Sequence, residues 1–175
     1  RGTNPTRNVL ETALADLEGA KFALAFASGL AAENAIMQTL TPGHVLVCDD
    51  VYGGTGRLFR RLYAPLGFTF EFIDMSDPAS VKQAMRPSTK LVWIETPTNP
   101  TLKICDIAKI ADIAHGGSAR LVVDNTFATP IFQSPLTLGA DVVVHSTTKY
   151  LGGHTDIIGG ALMLSDSVWH EELKF

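Results

Sequence analysis

A lysine amine can attack a carbonyl carbon and hold the product as a Schiff base, so a lysine in an unusual setting is the first residue to locate. Lys149 lies in His145-Ser146-Thr147-Thr148-Lys149-Tyr150-Leu151-Gly152-Gly153-His154, fed by the apolar run Asp141-Val142-Val143-Val144. A lysine among hydroxyls and glycines at the end of a buried strand is poorly placed for a solvated charge. It is well placed as a nucleophilic amine beside a phosphate, the setting in which lysines bind pyridoxal phosphate (PLP). A second apolar run, Leu121-Val122-Val123, ends on Asp124-Asn125-Thr126. A PLP site needs an acid that keeps the pyridine nitrogen protonated. Asp124 is a candidate for it, though an Asp there also suits a helix cap or a metal.

Phosphate needs donors. Ser28-Gly29-Leu30 stands where a strand gives way to a helix; such a terminus offers free N–H groups and the positive end of a dipole. Ser28 fits a simple N-cap equally well. Ser146 and Thr148 add two hydroxyls beside Lys149. Tyr52, in the glycine-flanked loop Asp49-Asp50-Val51-Tyr52-Gly53-Gly54-Thr55, is either a stacking surface for a flat ring or a loop anchor with its hydroxyl in water. The other lysines, Lys21, Lys82, Lys90, Lys103, Lys109 and Lys174, read as surface charges. His145 and His154 lack a metal-binding spacing, and His44, His115 and His170 read as turn or surface residues. No Walker loop, dinucleotide fingerprint or Gly-x-Ser-x-Gly elbow is present in the 175 residues.

The elements that must carry these residues alternate between strand-like and helix-like. Helical spacing covers 8–17, 28–40, 55–66, 80–85 and 106–114, and a last helix gets under way at Trp169. Apolar runs at 22–26, 45–48, 68–73, 91–94, 121–123, 142–145 and 161–164 read as strands. Their lack of polar alternation predicts a mostly parallel sheet covered by helices on both faces. Ser28, Tyr52, Glu95 to Asn99, Asp124 to Thr126 and Ser146 to Lys149 all follow strand ends, where open α/β sheets bind ligands. A net charge of -4 with 18% charged residues does not favour nucleic acid, and no apolar run is long enough for a membrane span. Cys48 and Cys105 read as two reduced thiols of a cytoplasmic protein. The chain opens at Arg1 and closes on a helix-like Trp169 to Phe175, as a piece of a longer polypeptide would.

The motif Ser146-Thr147-Thr148-Lys149-Tyr150-Leu151-Gly152-Gly153-His154-Thr155-Asp156 resembles the PLP-lysine signature of the Cys/Met-metabolism enzymes. That family contains cystathionine γ-lyases, γ-synthases and β-lyases, methionine γ-lyases and O-acylhomoserine sulfhydrylases. The resemblance continues through Asn4-Pro5-Thr6-Arg7, Ala27-Ser28-Gly29-Leu30-Ala31-Ala32, Asp49 to Thr55, Glu95-Thr96-Pro97-Thr98-Asn99-Pro100 and Val123-Asp124-Asn125-Thr126-Phe127. It implies the large domain of a fold-type-I, aspartate-aminotransferase-like PLP enzyme over 1–175, without its N-terminal arm and C-terminal small domain.

It further implies that Lys149 carries the cofactor and moves protons, and that Asp124 pairs with the ring nitrogen. Tyr52 would stack on the ring and act on the substrate. Asn99 would face the phenolic oxygen, with Thr126 near the ring. Gly29, Leu30, Ser146 and Thr148, with Ser28, would hold the phosphate. Arg1 matches an arginine that reaches the phosphate of a neighbouring subunit, which implies a homotetramer built from dimers that share active sites. The expected substrate is a small sulfur amino acid, and no metal is expected. Gly54, where methionine γ-lyases commonly carry Cys, and Arg57 point to the cystathionine γ-lyase and γ-synthase branch. A methionine γ-lyase, a β-lyase, a sulfhydrylase and a non-catalytic phosphate-binding α/β module are the alternatives.

Overall fold

The computed structural model describes residues 4–174; Arg1 lies outside them. Helix α1 (Pro5–Glu18) starts under a cap in which Asn4 Oδ1 accepts from the N–H groups of Thr6 and Arg7. Pro5 costs nothing in the first turn, where its missing N–H would have no partner. Gly19 closes the helix at φ 67, a left-handed conformation that only glycine adopts freely. There follow β1 (Phe22–Phe26), α2 (Gly29–Gln38), β2 (His44–Cys48), α3 (Gly53–Arg57), β3 (Thr69–Ile73), α4 (Pro78–Ala84) and β4 (Thr89–Glu95). The chain continues through α5 (Ile107–Gly116), β5 (Arg120–Asp124), α6 (Thr129–Phe132), β6 (Val142–His145), β7 (Gly160–Leu164) and α7 (Ser167–Lys174).

The seven strands form one sheet in the order β1-β7-β6-β5-β4-β2-β3. Strands β3, β2, β4, β5 and β6 run parallel, while β7 runs antiparallel to both β6 and β1. Helices cover both faces. Ile36 and Met37 of α2 with Trp169 of α7 pack on Trp93, Val122 and Val144. Val81 of α4 with Ile110 and Ala114 of α5 pack on Val92, Ile94 and Val123 of the opposite face. Leu14 and Ala15 of α1 meet Val143 and Met163. This is the mostly parallel, doubly covered sheet expected from the apolar strands.

Three local expectations are corrected. The single helix over 55–66 is instead α3, a π-helical stretch (Leu58–Tyr63) and a 3-10 turn (Ala64–Leu66). Pro65 lacks the N–H that would continue the ladder, and three glycines weaken its start. His44 is a buried residue of β2, with Nδ1 2.8 Å from Thr89 Oγ1, because the first residue of a central strand is covered by its neighbour. A short α6 and a 3-10 turn (Pro135–Leu138) fill the stretch before β6 where no element was expected.

Candidate active site

The register between β4 and β5 pairs Glu95 with Asp124, the last residue of each strand. Because the neighbouring strands are parallel, Asp49, Asn125 and Ser146 emerge at the same edge. There the chain encloses a cavity of about 250 Å³. Ser28, Gly29, Leu30, Tyr52, Asn99, Asp124, Thr126, Ser146, Thr148 and Lys149 all line it, so every site residue named from the sequence except Arg1 meets in one place.

The start of α2 and the Lys149 loop meet in the wall of this cavity. Ser28 does cap α2, its Oγ accepting from Ala31 N–H at 3.1 Å, and this leaves the Gly29 and Leu30 N–H groups without helical partners. Ser146 presses against Gly29 so closely that a Cβ there would sit 3.0 Å from Ser146 Cβ. The hydroxyl of Thr148 is engaged with Gly159, bonding to its carbonyl and its N–H at 3.1 Å each. It therefore pins the Lys149 loop rather than standing free as a donor. Ser146 N–H donates to Thr126 Oγ1 at 2.9 Å, tying that loop to the end of β5. Asn99 is carried by a loop fastened to Asp50, which accepts from Thr98 Oγ1 at 2.6 Å and Thr101 N–H at 2.9 Å.

Three of the lining residues, Glu33, Glu95 and Asp124, are acids. Asp124 is buried, and burial pushes its carboxyl above the ordinary range, against a pull downward from Thr126, whose N–H donates to Oδ1 at 2.9 Å. Glu95 is pushed up to about 8, first by burial and then by the charge of Asp124, while the Tyr52 N–H at 2.8 Å on Oε2 opposes the rise. Glu33 is raised by burial and then by Asp124. Three mutually repelling carboxyls disfavour more negative charge and welcome a cation. Among the described residues, no group of His, Cys, Asp and Glu is arranged to hold a metal ion. A group that carries both a phosphate and a protonated nitrogen matches these donors and acids.

Tyr52, about half exposed, lies against Gly54, where a Cβ would approach Tyr52 Cε1 to 2.3 Å. A larger residue at 54 would have to displace the ring, which gives the glycine a steric reason. Glu33, Phe127 and Ile158 also line the cavity and were not picked out from the sequence. Glu33 had a signal, an acid among Ala31, Ala32, Ile36 and Met37 one turn after Gly29. Phe127 and Ile158 carried none beyond hydrophobicity.

Residues 1–175 match the family model described as Cys/Met metabolism PLP-dependent enzyme. A probable cystathionine gamma-synthase of Herpetosiphon aurantiacus is 55% identical over all of this chain and 55% of its own length. The cystathionine gamma-lyase of Bacillus subtilis (strain 168) is 50% identical over all of this chain and 46% of its own length. The crystal structure of metB from Corynebacterium glutamicum superposes with a TM-score of 0.96 at 48% identity, over 98% of this chain and 45% of that one. The chain thus spans about half the length of these relatives. By the match along its whole length and the fold it shares with them, it belongs to the Cys/Met-metabolism family of PLP-dependent enzymes.

Proposed function

We propose that this chain is the cofactor-binding domain of a transsulfuration enzyme that forms or cleaves the Cγ–S bond of cystathionine. The observation that carries the reading is the convergence of Lys149, Asp124, Tyr52 and the start of α2 on one cavity. The names of relatives at 50–55% identity supply the substrate class. Both a synthase and a lyase stand at that level, so the direction of the reaction rests on assay.

Bound PLP supplies an aldehyde that reacts with amines and a cationic ring that draws electrons from a substrate's Cα. The rest falls to the chain. Gly29 and Leu30 N–H groups and the Ser146 hydroxyl take the phosphate, beside Ser28 and Thr148. Asp124 holds the proton on the ring nitrogen. Tyr52 would cover the ring and Asn99 would bond its phenolic oxygen, while Thr126 braces the Lys149 loop. Lys149 Nζ first binds the cofactor. The same amine would serve as general base for the Cα proton of a bound substrate. The same reading makes the protein a cytoplasmic homotetramer in which Arg1 reaches a neighbour's phosphate.

The test is borohydride reduction of the full polypeptide loaded with PLP, followed by peptide mass spectrometry. The reading expects the added mass on Lys149; a different lysine, or none, refutes it. Lys149→Ala should lower turnover by on the order of 10³-fold or more. Release of cysteine from cystathionine, against its condensation from cysteine and an O-acylhomoserine, then decides lyase from synthase. Absence of both activities would refute the transsulfuration reading.

A further inference from the structure

Glu33 is 3% exposed on α2 and lines the same cavity. Its Oε1 accepts from the Thr55 hydroxyl at 3.0 Å, whereas its Oε2 is buried without any partner among the described residues. A buried carboxyl oxygen left unmatched is costly unless something that enters the site completes it. We propose that Glu33 is a positioning residue that backs Asp124 as a second acid and stabilises the cationic ring of the bound cofactor. This rests on the reading of the cavity as the PLP site.

Gly29 at the start of α2 and Glu33, one turn on, both line the cavity. The charged and titratable groups around Glu33 are Asp124 and Glu95, which repel it, Lys149 and Arg57 on the cavity wall, and the Tyr52 phenol. His145 lies behind Asp124 and lowers its carboxyl. Without a ligand, burial and then Asp124 hold Glu33 well above the carboxylate range. A cation beside Asp124 offsets both effects. By reciprocity, a carboxyl that ionises because the cation is present binds that cation and its proton more tightly.

Glu33→Gln keeps the size and the acceptor for Thr55 but cannot ionise. In the complete PLP-loaded enzyme, the pH midpoint of the ring-nitrogen titration, followed by 15N NMR of labelled cofactor, should fall by about one pH unit. The cofactor dissociation constant should rise by about tenfold. Thr55→Val, which removes the hydroxyl that favours the ionised acid, should move the midpoint the same way by less. If the Gln variant does not fold, Thr55→Val alone decides. A midpoint and an affinity that match the wild type, or a midpoint that rises, overturn the proposal. A wild-type protein with no visible band at all refutes the Lys149 reading instead, and this inference with it.

Discussion

At Glu95 the charge balance of the cavity can be followed through one side chain. It is 5% exposed, and its carboxyl stands near 8 against an ordinary 4.5 because burial and then Asp124 disfavour its charge. Between those values the folded protein keeps a proton that the unfolded chain has released. Stability from this group is therefore full below about 4.5, declines as pH rises, and reaches its floor above about 8. Glu33 and Asp124 are raised as well and act with the same sign. The exposed Asp74 beside Lys103 is lowered, so its contribution disappears only in acid, outside this window. Burial lowers His44, which opposes the decline below about pH 6.5, so the cofactor-free protein should lose thermal stability chiefly from about pH 6.5 to about pH 8.5, and Glu95→Gln should remove part of that loss. In a domain of this size each ~1 kcal/mol moves Tm by about 2–4 °C, so calorimetry at the two pH values resolves the effect. A Glu95→Gln protein whose Tm falls as steeply as the wild type's would show that the carboxyl carries no such penalty.

Elements meet most tightly where β7 passes beneath the start of α2. A Cβ on Gly160 would stand 2.1 Å from Ser28 O and 2.6 Å from Gly29 N, both backbone atoms of the proposed phosphate site. Neither can swing aside as a flexible side chain would. Gly160→Ala should cost about 1–3 kcal/mol and weaken cofactor binding, read by urea unfolding and equilibrium dialysis. Gly116→Ala, in α5 with open space around it, should instead be neutral or stabilising by up to about 1 kcal/mol. Equal costs at both positions would contradict this account. The contrast also shows what a sequence can disclose. The strands were legible because a strand buried on both faces must be apolar throughout. Lys149, Asp124 and Tyr52 were legible because reactive types followed those strands. The tightness at Gly160 was not, because it comes from a strand paired with β1 and β6 rather than from any local pattern. Glu33 was passed over because a lone acid in a helix ordinarily faces water, although its apolar neighbours in α2 hinted at the burial the sheet imposes.

For the molecule as a whole, the sheet is a shared wall between two cores, and Trp93 in β4 stands near its middle. The residue is fully buried, edge-on to Phe59 with centroids 5.3 Å apart, and its Nε1 is buried without an acceptor among the described residues. Its worth is therefore volume, and its N–H is a cost. Trp93→Phe gives up part of the volume but also removes the unmatched donor, each on the order of 1–3 kcal/mol. The two should nearly cancel, leaving a change within about 1 kcal/mol. Trp93→Ala leaves a void that the rigid strands on either side cannot close, at a cost of about 3–5 kcal/mol. Because β4 ends on Glu95, two residues further along, that void should also loosen the acidic lining of the cavity and weaken cofactor retention. Urea unfolding separates the cases: the midpoint should drop sharply for Ala and hardly at all for Phe, with the slope unchanged in both. If Phe proved as damaging as Ala, the indole N–H would have to be bonded in solution. Trp93 would then hold the sheet by a polar contact and not by the space it fills.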